Sequence, residues 1–243
     1  MLSLKRIGER AVNLLYPSDA CCIVCNSVTD IKDNLCCACS SSLVTVMQEY
    51  PSDENTFCRA CSRPVPTNRG GYCRTCAADE TKVFGAAPFM HKNAAAELVH
   101  KLKFGSIESA ARILAEYMSP LCPKDADALV PIPLAKPRRR ERGFNQAALL
   151  CNEISRITKV PVRDILLRTK KMKPQVGLTS EERRSNPVGA FAMADNTQSL
   201  ADYKHIILVD DVRTTGSTAL AASLVLYERG AARVSLLTAT LSN

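Results

Sequence analysis

Two adjacent carboxylates, Asp210 and Asp211, stand between the apolar run Ile206, Ile207, Leu208, Val209 and a turn of small residues, Thr214, Thr215, Gly216, Ser217 and Thr218. Such a turn, placed ahead of a helix, offers hydroxyls and the free backbone N–H groups of a helix N-terminus, which together can cradle a monophosphate. Carboxylates beside a phosphate repel it. The pair therefore belongs there when it grips sugar hydroxyls, a hard cation such as Mg²⁺, or both. A phosphorylated ribose meets both demands.

A second chemistry lies in the cysteines. Ten of the twelve precede Ala77, and eight of those form four CxxC pairs: Cys22/Cys25, Cys36/Cys39, Cys58/Cys61 and Cys73/Cys76. Each CxxC brings two thiolates from one tight turn onto a tetrahedral ion, and two such turns complete a structural zinc site. The spacing predicts two zinc ribbons and two zinc ions, with neighbouring or interleaved pairing both open. Cys21 and Cys37 are surplus and offer alternative ligands within the first ribbon. Residues 48–56 are polar and aperiodic and join the ribbons.

The elements that must position these groups follow from pattern. A continuous rather than alternating apolar run at 206–209 predicts a strand covered on both faces by helices, with the acidic pair at its carboxyl end, where open α/β sheets bind ligands. Residues 128–133, ALVPIP, read as another core strand, and 82–90 as strand-like. Amphipathic helices are expected over 94–102 and 106–118, separated by a loop containing Lys103, and from Gln146 to about Ile157. Residues 134–146, LAKPRRRERGFNQ, read as a loop that supplies Lys136, Arg138, Arg139, Arg140 and Arg142, with Gly143 permitting a tight turn. Residues 162–167 form a further strand candidate, and 168–189 a long basic connection. Cys122 and Cys151 look like buried small apolar residues, and His91, His100 and His205 show no partner pattern. The shift in composition places a domain boundary near Asp79, giving units 1–79 and 80–243.

The chain has 243 residues, 46% of them hydrophobic, with a formal charge of +8, and it carries no apolar run of bilayer length. The opening residues read as a short amphipathic helix rather than an export signal, so no membrane insertion and a cytoplasmic location are expected. The basicity is local: residues 136–142 and 159–184 together carry +9, which points to a polyanion site.

Residues 204–218, KHIILVDDVRTTGST, closely resemble the motif by which type I phosphoribosyltransferases bind phosphoribosyl pyrophosphate (PRPP). That resemblance implies that Asp210 and Asp211 act on the ribose, and that Val212, Arg213, Thr214, Thr215, Gly216, Ser217 and Thr218 surround the 5′-phosphate, with Mg²⁺ accompanying PRPP. It also makes Lys103, Arg139, Arg142, Lys173 and Arg183 candidates for the pyrophosphate, the last two from a hairpin that closes over the ligand. Purine-salvage members similar to the hypoxanthine-guanine enzymes carry an Asp where this chain has Thr214, which leaves the acceptor open. Together with the cysteines, VPIPL, RERGFNQ, RTKKMKPQ and RRSNPVGAF, the chain resembles the ComF family. The resemblance implies an N-terminal double zinc ribbon joined to a type I phosphoribosyltransferase-like α/β domain, a parallel sheet flanked by helices, and a link to DNA uptake in natural competence. Three functions are compatible with the residues: a Mg²⁺-dependent phosphoribosyltransferase, a single-stranded DNA-binding competence factor, and a zinc-ribbon adaptor for competence-machinery proteins.

Overall fold

The computed structural model describes residues 21–46, 55–57, 64–66, 83–105, 107–169, 189–194 and 199–242. The ribbon segment folds as β1 (Ile31–Lys32) and β2 (Leu35–Cys36), an antiparallel pair, followed by α1 (Cys37–Ser41). Then come β3 (Asn55–Phe57) and β4 (Pro64–Pro66), paired with each other, and β5 (Phe84–Ala86) and β6 (Phe89–Met90). Helices α2 (Asn93–Phe104) and α3 (Ile107–Met118) lead to β7 (Ala128–Pro131), α4 (Lys136–Arg142) and α5 (Gln146–Thr158). The remainder comprises β8 (Leu166–Arg168), β9 (Phe191–Met193), β10 (Ile206–Arg213), α6 (Ser217–Glu228) and β11 (Val234–Leu241).

The main sheet is parallel, ordered β5, β11, β10, β7, with β6 also on β11. The mixed α/β class with a parallel sheet, expected from the sequence, is the class observed. Strand β10 is central because its run is apolar on both faces. Ile207 and Val209 pack with Leu98, Leu114, Leu150 and Ile154 of α2, α3 and α5, whereas Ile206 and Leu208 pack with Ala222 and Leu226 of α6 and with Phe191 of β9. This two-sided burial erases the alternation that a solvated sheet would show. It also directs the pair that follows: by strand periodicity Asp211 continues the face of α2, and Asp210 the face of the β8–β9 hairpin.

Three differences from the sequence expectations have local causes. Residues 136–142 are helical rather than a loop. Pro137 lies in the first turn with its φ already set, and Gly143, at φ +80°, ends the helix in the left-handed region while its N–H bonds Arg139 O at 2.8 Å. The strand expected over 162–167 starts instead at Leu166; Val162 makes only a single bridge to Leu129, and β8 pairs with β9 apart from the main sheet. Cys151 is buried as expected, but Cys122 is half-buried.

The ribbon is not a separate bead. Cys22, Ile23, Leu35, Cys39 and Leu43 belong to the same core as Leu98 and Leu114, and Arg112 donates to Asn34 Oδ1 at 3.2 Å. Its continuation joins the sheet edge: Met90 N donates to Val44 O at 3.0 Å and Val46 N to Pro88 O at 3.1 Å. The expected boundary near Asp79 falls outside the described residues.

Candidate functional site

The site forms where β7, β10 and β11 end. Strand β10 runs on to Arg213, so the acidic pair lies within its last four residues rather than beyond them. Asp210 Oδ1 accepts from the Asp211 backbone N–H at 2.9 Å. The Asp211 carboxylate pairs with Lys103 Nζ at 3.0 Å, a contact in which the two side chains are only 23% (Lys103) and 16% (Asp211) exposed. Lys103, expected in a loop after residue 102, lies instead in the last turn of α2, which runs on to Phe104, and from there reaches the carboxylate, where a cation also suits the helix C-terminus. Behind the pair, Thr240 Oγ1 lies 3.4 Å from Asp211 O and 3.0 Å from His91 Nδ1.

Burial, and then the neighbouring Asp211 charge, push the Asp210 carboxyl up to about 7, against the lowering influence of the Asp211 N–H, Lys103 and Arg168. Near neutrality the buried pair therefore resists carrying two negative charges. Arg168, whose guanidinium lies 5.2 Å over the Phe191 ring, has its pKa lowered by burial while Asp210 opposes that shift. His91 is held below its usual value by burial and then by Lys103.

The turn after β10 exposes small hydroxyl side chains at the start of α6. Gly216 sits at φ +82°, in the left-handed region, and α6 starts at Ser217 with Leu220 N bonded to Gly216 O at 2.9 Å. Thr214, Thr215 and Ser217 are exposed, Thr218 is half-exposed, and Thr215 Oγ1 lies 3.0 Å from Ser217 Oγ. Val212 is partly buried against the core, and Arg213 turns inward beneath Gly216. Arg139 is exposed on α4, which follows β7 at the same sheet end; Arg142 lies with its guanidinium 4.8 Å over the Phe104 ring, beside Lys103. The structure thus brings Asp210, Asp211, Lys103 and the 214–218 turn to one end of the sheet. Lys173 and Arg183 lie outside the described residues.

Sequence reading passed over Arg168, His91 and Gln146. Gln146 is 1% exposed, and its amide has no hydrogen-bond partner among the described residues. Its position just after the Asn145 cap, which bonds Ala147 N at 3.2 Å, was the available signal. His205 was given no role; it is buried at the start of β10, where it bonds Asp125 and Ser235 far along the strand from the acidic pair.

In the ribbon, the sulfurs of Cys22, Cys25, Cys36 and Cys39 all lie within 4.8 Å of one another, with Cys25 and Cys36 at 3.6 Å. Four thiolates at about 2.3 Å from one tetrahedral ion are about 3.8 Å apart, so the cluster fits a metal ion after small side-chain adjustments. The cluster joins the first two CxxC pairs and leaves out Cys21 and Cys37. All eight described cysteines are free thiols. Cys58, Cys61, Cys73 and Cys76 lie outside the described residues.

No family model matches the chain. Competence protein F of Haemophilus influenzae is 39% identical over 105 residues, 43% of this chain and 45% of that protein. Competence protein ComFC of Bacillus subtilis is 28% identical over 211 residues, 82% of this chain and 80% of its own length. The chain is thus similar in sequence to competence proteins F and ComFC. The DNA utilization protein YhgH of Escherichia coli O157:H7 is 36% identical over 109 residues, 44% of this chain and 46% of that one. The matched region thus spans under half the length of the Haemophilus and Escherichia proteins. Similar solved structures include the glutamine PRPP amidotransferase of B. subtilis complexed with ADP and GMP (15% identity, TM-score 0.39, 57% of this chain and 30% of that chain). Another is the adenine phosphoribosyltransferase of Leishmania tarentolae (14%, TM-score 0.35, 61% and 75%). Likenesses this distant carry no inference about ligands. Among the described residues, no helix is long and apolar enough to cross a membrane.

Proposed function

We propose that this chain binds PRPP together with Mg²⁺ at the end of β10 and acts as a phosphoribosyltransferase within the DNA-uptake context of its ComF homologues. The observation that carries the reading is the Asp210–Asp211 pair, set between a helix N-terminal turn of hydroxyls and a lysine on its carboxylate. The Lys103 ammonium stands where a hard cation would bind, which supports a fit to Mg²⁺. That cation would be held by Asp210 and Asp211 and would neutralise the pyrophosphate oxygens. The backbone N–H groups and hydroxyls of Thr215, Gly216, Ser217 and Thr218 hold the 5′-phosphate, and the carboxylates hold the ribose hydroxyls. Lys103, released from Asp211, joins Arg139 and Arg142 against the pyrophosphate. An amine or base then bonds to the ribose C1 while the bond from C1 to the pyrophosphate oxygen breaks, the electron pair leaves with pyrophosphate, and the proton of the attacking nitrogen passes to solvent. Cys22, Cys25, Cys36 and Cys39 would hold one structural zinc ion, and Cys58, Cys61, Cys73 and Cys76 a second.

Pyrophosphate release from PRPP over a panel of amine and base acceptors tests the activity, and calorimetry tests the site. Asp211→Asn should weaken PRPP on the order of tenfold, because a charge-assisted hydrogen bond contributes about 1.5 to 3 kcal/mol. Unchanged PRPP affinity in that variant would refute the reading.

A second reading has one observation in its favour. Helix α4 exposes Lys136, Arg138, Arg139 and Arg140 to solvent, a cationic ridge suited to the backbone of single-stranded DNA. If DNA rather than PRPP is the ligand, Asp211→Asn leaves DNA affinity unchanged or raises it, since it removes a negative charge beside the cations.

A further inference from the structure

Arg213 ends β10 and is 7% exposed, a nearly buried charge one residue ahead of the turn. Charged side chains are seldom buried unless something holds them there. Its backbone is fixed by pairing with Leu241 of β11 and by Ser242 N, which donates to Arg213 O at 2.8 Å. Its Nη2 donates to Val83 O, just before β5, at 3.4 Å. Two glycines make room for the guanidinium. A Cβ on Gly85 of β5 would overlap Nη1, and a Cβ on Gly216 would come within 3.2 Å of Nη2 and 3.6 Å of Cζ. The guanidinium therefore lies directly under the glycine in the middle of the turn, between it and β5.

We infer that Arg213 is a positioning residue which acts from beneath the turn: its guanidinium fills the space between Gly216 and Gly85 of β5 and holds a buried positive charge under the turn. This rests on the sugar-phosphate reading of residues 214–218. The charge biases the turn toward a terminal phosphate monoester, which is a dianion, over a phosphodiester, which carries a single charge. A helix N-terminus attracts both, but a fixed and poorly solvated cation acts in proportion to ligand charge. The same turn thereby discriminates between a free sugar phosphate and the backbone of a nucleic acid.

The test is calorimetric titration of ribose 5-phosphate and of its 5′-methyl phosphodiester, at pH 8 and fixed ionic strength. The parent should favour the monoester about tenfold more strongly than Arg213→Met does, and Arg213→Lys should keep most of that preference. Loss of positioning alone would weaken both ligands by the same factor and would gain nothing from lysine. Gly85→Ala gives a second route, because its added methyl displaces the guanidinium while the charge stays in the chain; it should lose the preference as Arg213→Met does. The ratio is read from whichever of these two variants melts cooperatively. A monoester preference unchanged from the parent, or a lysine variant as poor as the methionine one, overturns the inference while leaving the site reading intact. A parent that binds neither ligand overturns the sugar-phosphate reading and the inference together.

Discussion

Asp210→Asn should make the ligand-free protein more stable, and more so as the pH rises. In the folded chain the Asp210 carboxyl is raised from 3.8 to about 7, chiefly by burial and then by Asp211. A carboxyl raised on folding favours the native state when protonated. Its cost is absent below the unfolded value near 4, grows as pH rises, and is complete above 7. A displacement of roughly three pH units corresponds to a ceiling of about 4 kcal/mol, at about 1.4 kcal/mol per unit. Relaxation and water at this partly open site reduce that to about 1 to 3 kcal/mol. Asparagine keeps an oxygen to accept from Asp211 N, the bond now made at 2.9 Å, so little is lost in exchange. For a chain of this size the gain is on the order of 3 to 10 °C in Tm at pH 8, and it is smaller at pH 5. Thermal melting of parent and variant in buffer without added Mg²⁺ at both pH values measures it. A variant that melts below its parent at pH 8, or whose advantage is the same at pH 5, would show that Asp210 is not the strained carboxylate described.

Lys103→Met should remove the cation from Asp211 and lower the stability of the ligand-free protein by about 1 kcal/mol or more in urea titrations, a difference that about 1 M salt only partly removes because the pair is largely shielded from solvent. If Arg139 and Arg142 meet the pyrophosphate as proposed, Arg139→Ala and Arg142→Ala should weaken PRPP while leaving ribose 5-phosphate within about twofold in calorimetry. Cys39→Ser should reduce hydrogen-exchange protection in α3 as well as in the ribbon, since Cys39, Leu35 and Leu114 share one core. Unchanged protection of the α3 amides would mean that the ribbon melts alone.

What could be read from the sequence was whatever is encoded locally. The run at 206–209 announced a strand buried on both faces because each of its residues meets a covering helix or hairpin, and Gly216 with its hydroxyl neighbours announced the turn. The paired thiols of the first cysteine cluster were legible because CxxC spacing is itself the geometry of two ligands, although which pairs would meet was left open. Pairings across the chain were not legible. Lys103 and Asp211 carry no mutual spacing signal, and a single lysine in a short loop looks like any solvated charge. The helix at 136–142 was hidden because five basic residues suggest an extended ligand loop, whereas Pro137 and Gly143 set the backbone. His205 was silent for a related reason: Asp125 and Ser235, its two partners, sit in separate segments that only the fold assembles.

The strip of backbone at residues 44–46 has a bearing on how this protein can be cut. It covers β6, at one margin of the sheet, through the Thr45 to Phe89 bridge and the bonds of Met90 N and Val46 N. A truncation starting at residue 80 would uncover that margin, and with it the apolar sides of Leu98 and Leu114 that now meet Leu35 and Leu43. Bare strand edges next to fresh apolar surface are templates for aggregation. A C-terminal fragment prepared to isolate the phosphate site would therefore precipitate for reasons unrelated to that site, whereas a fragment beginning near residue 21 would retain its own cover.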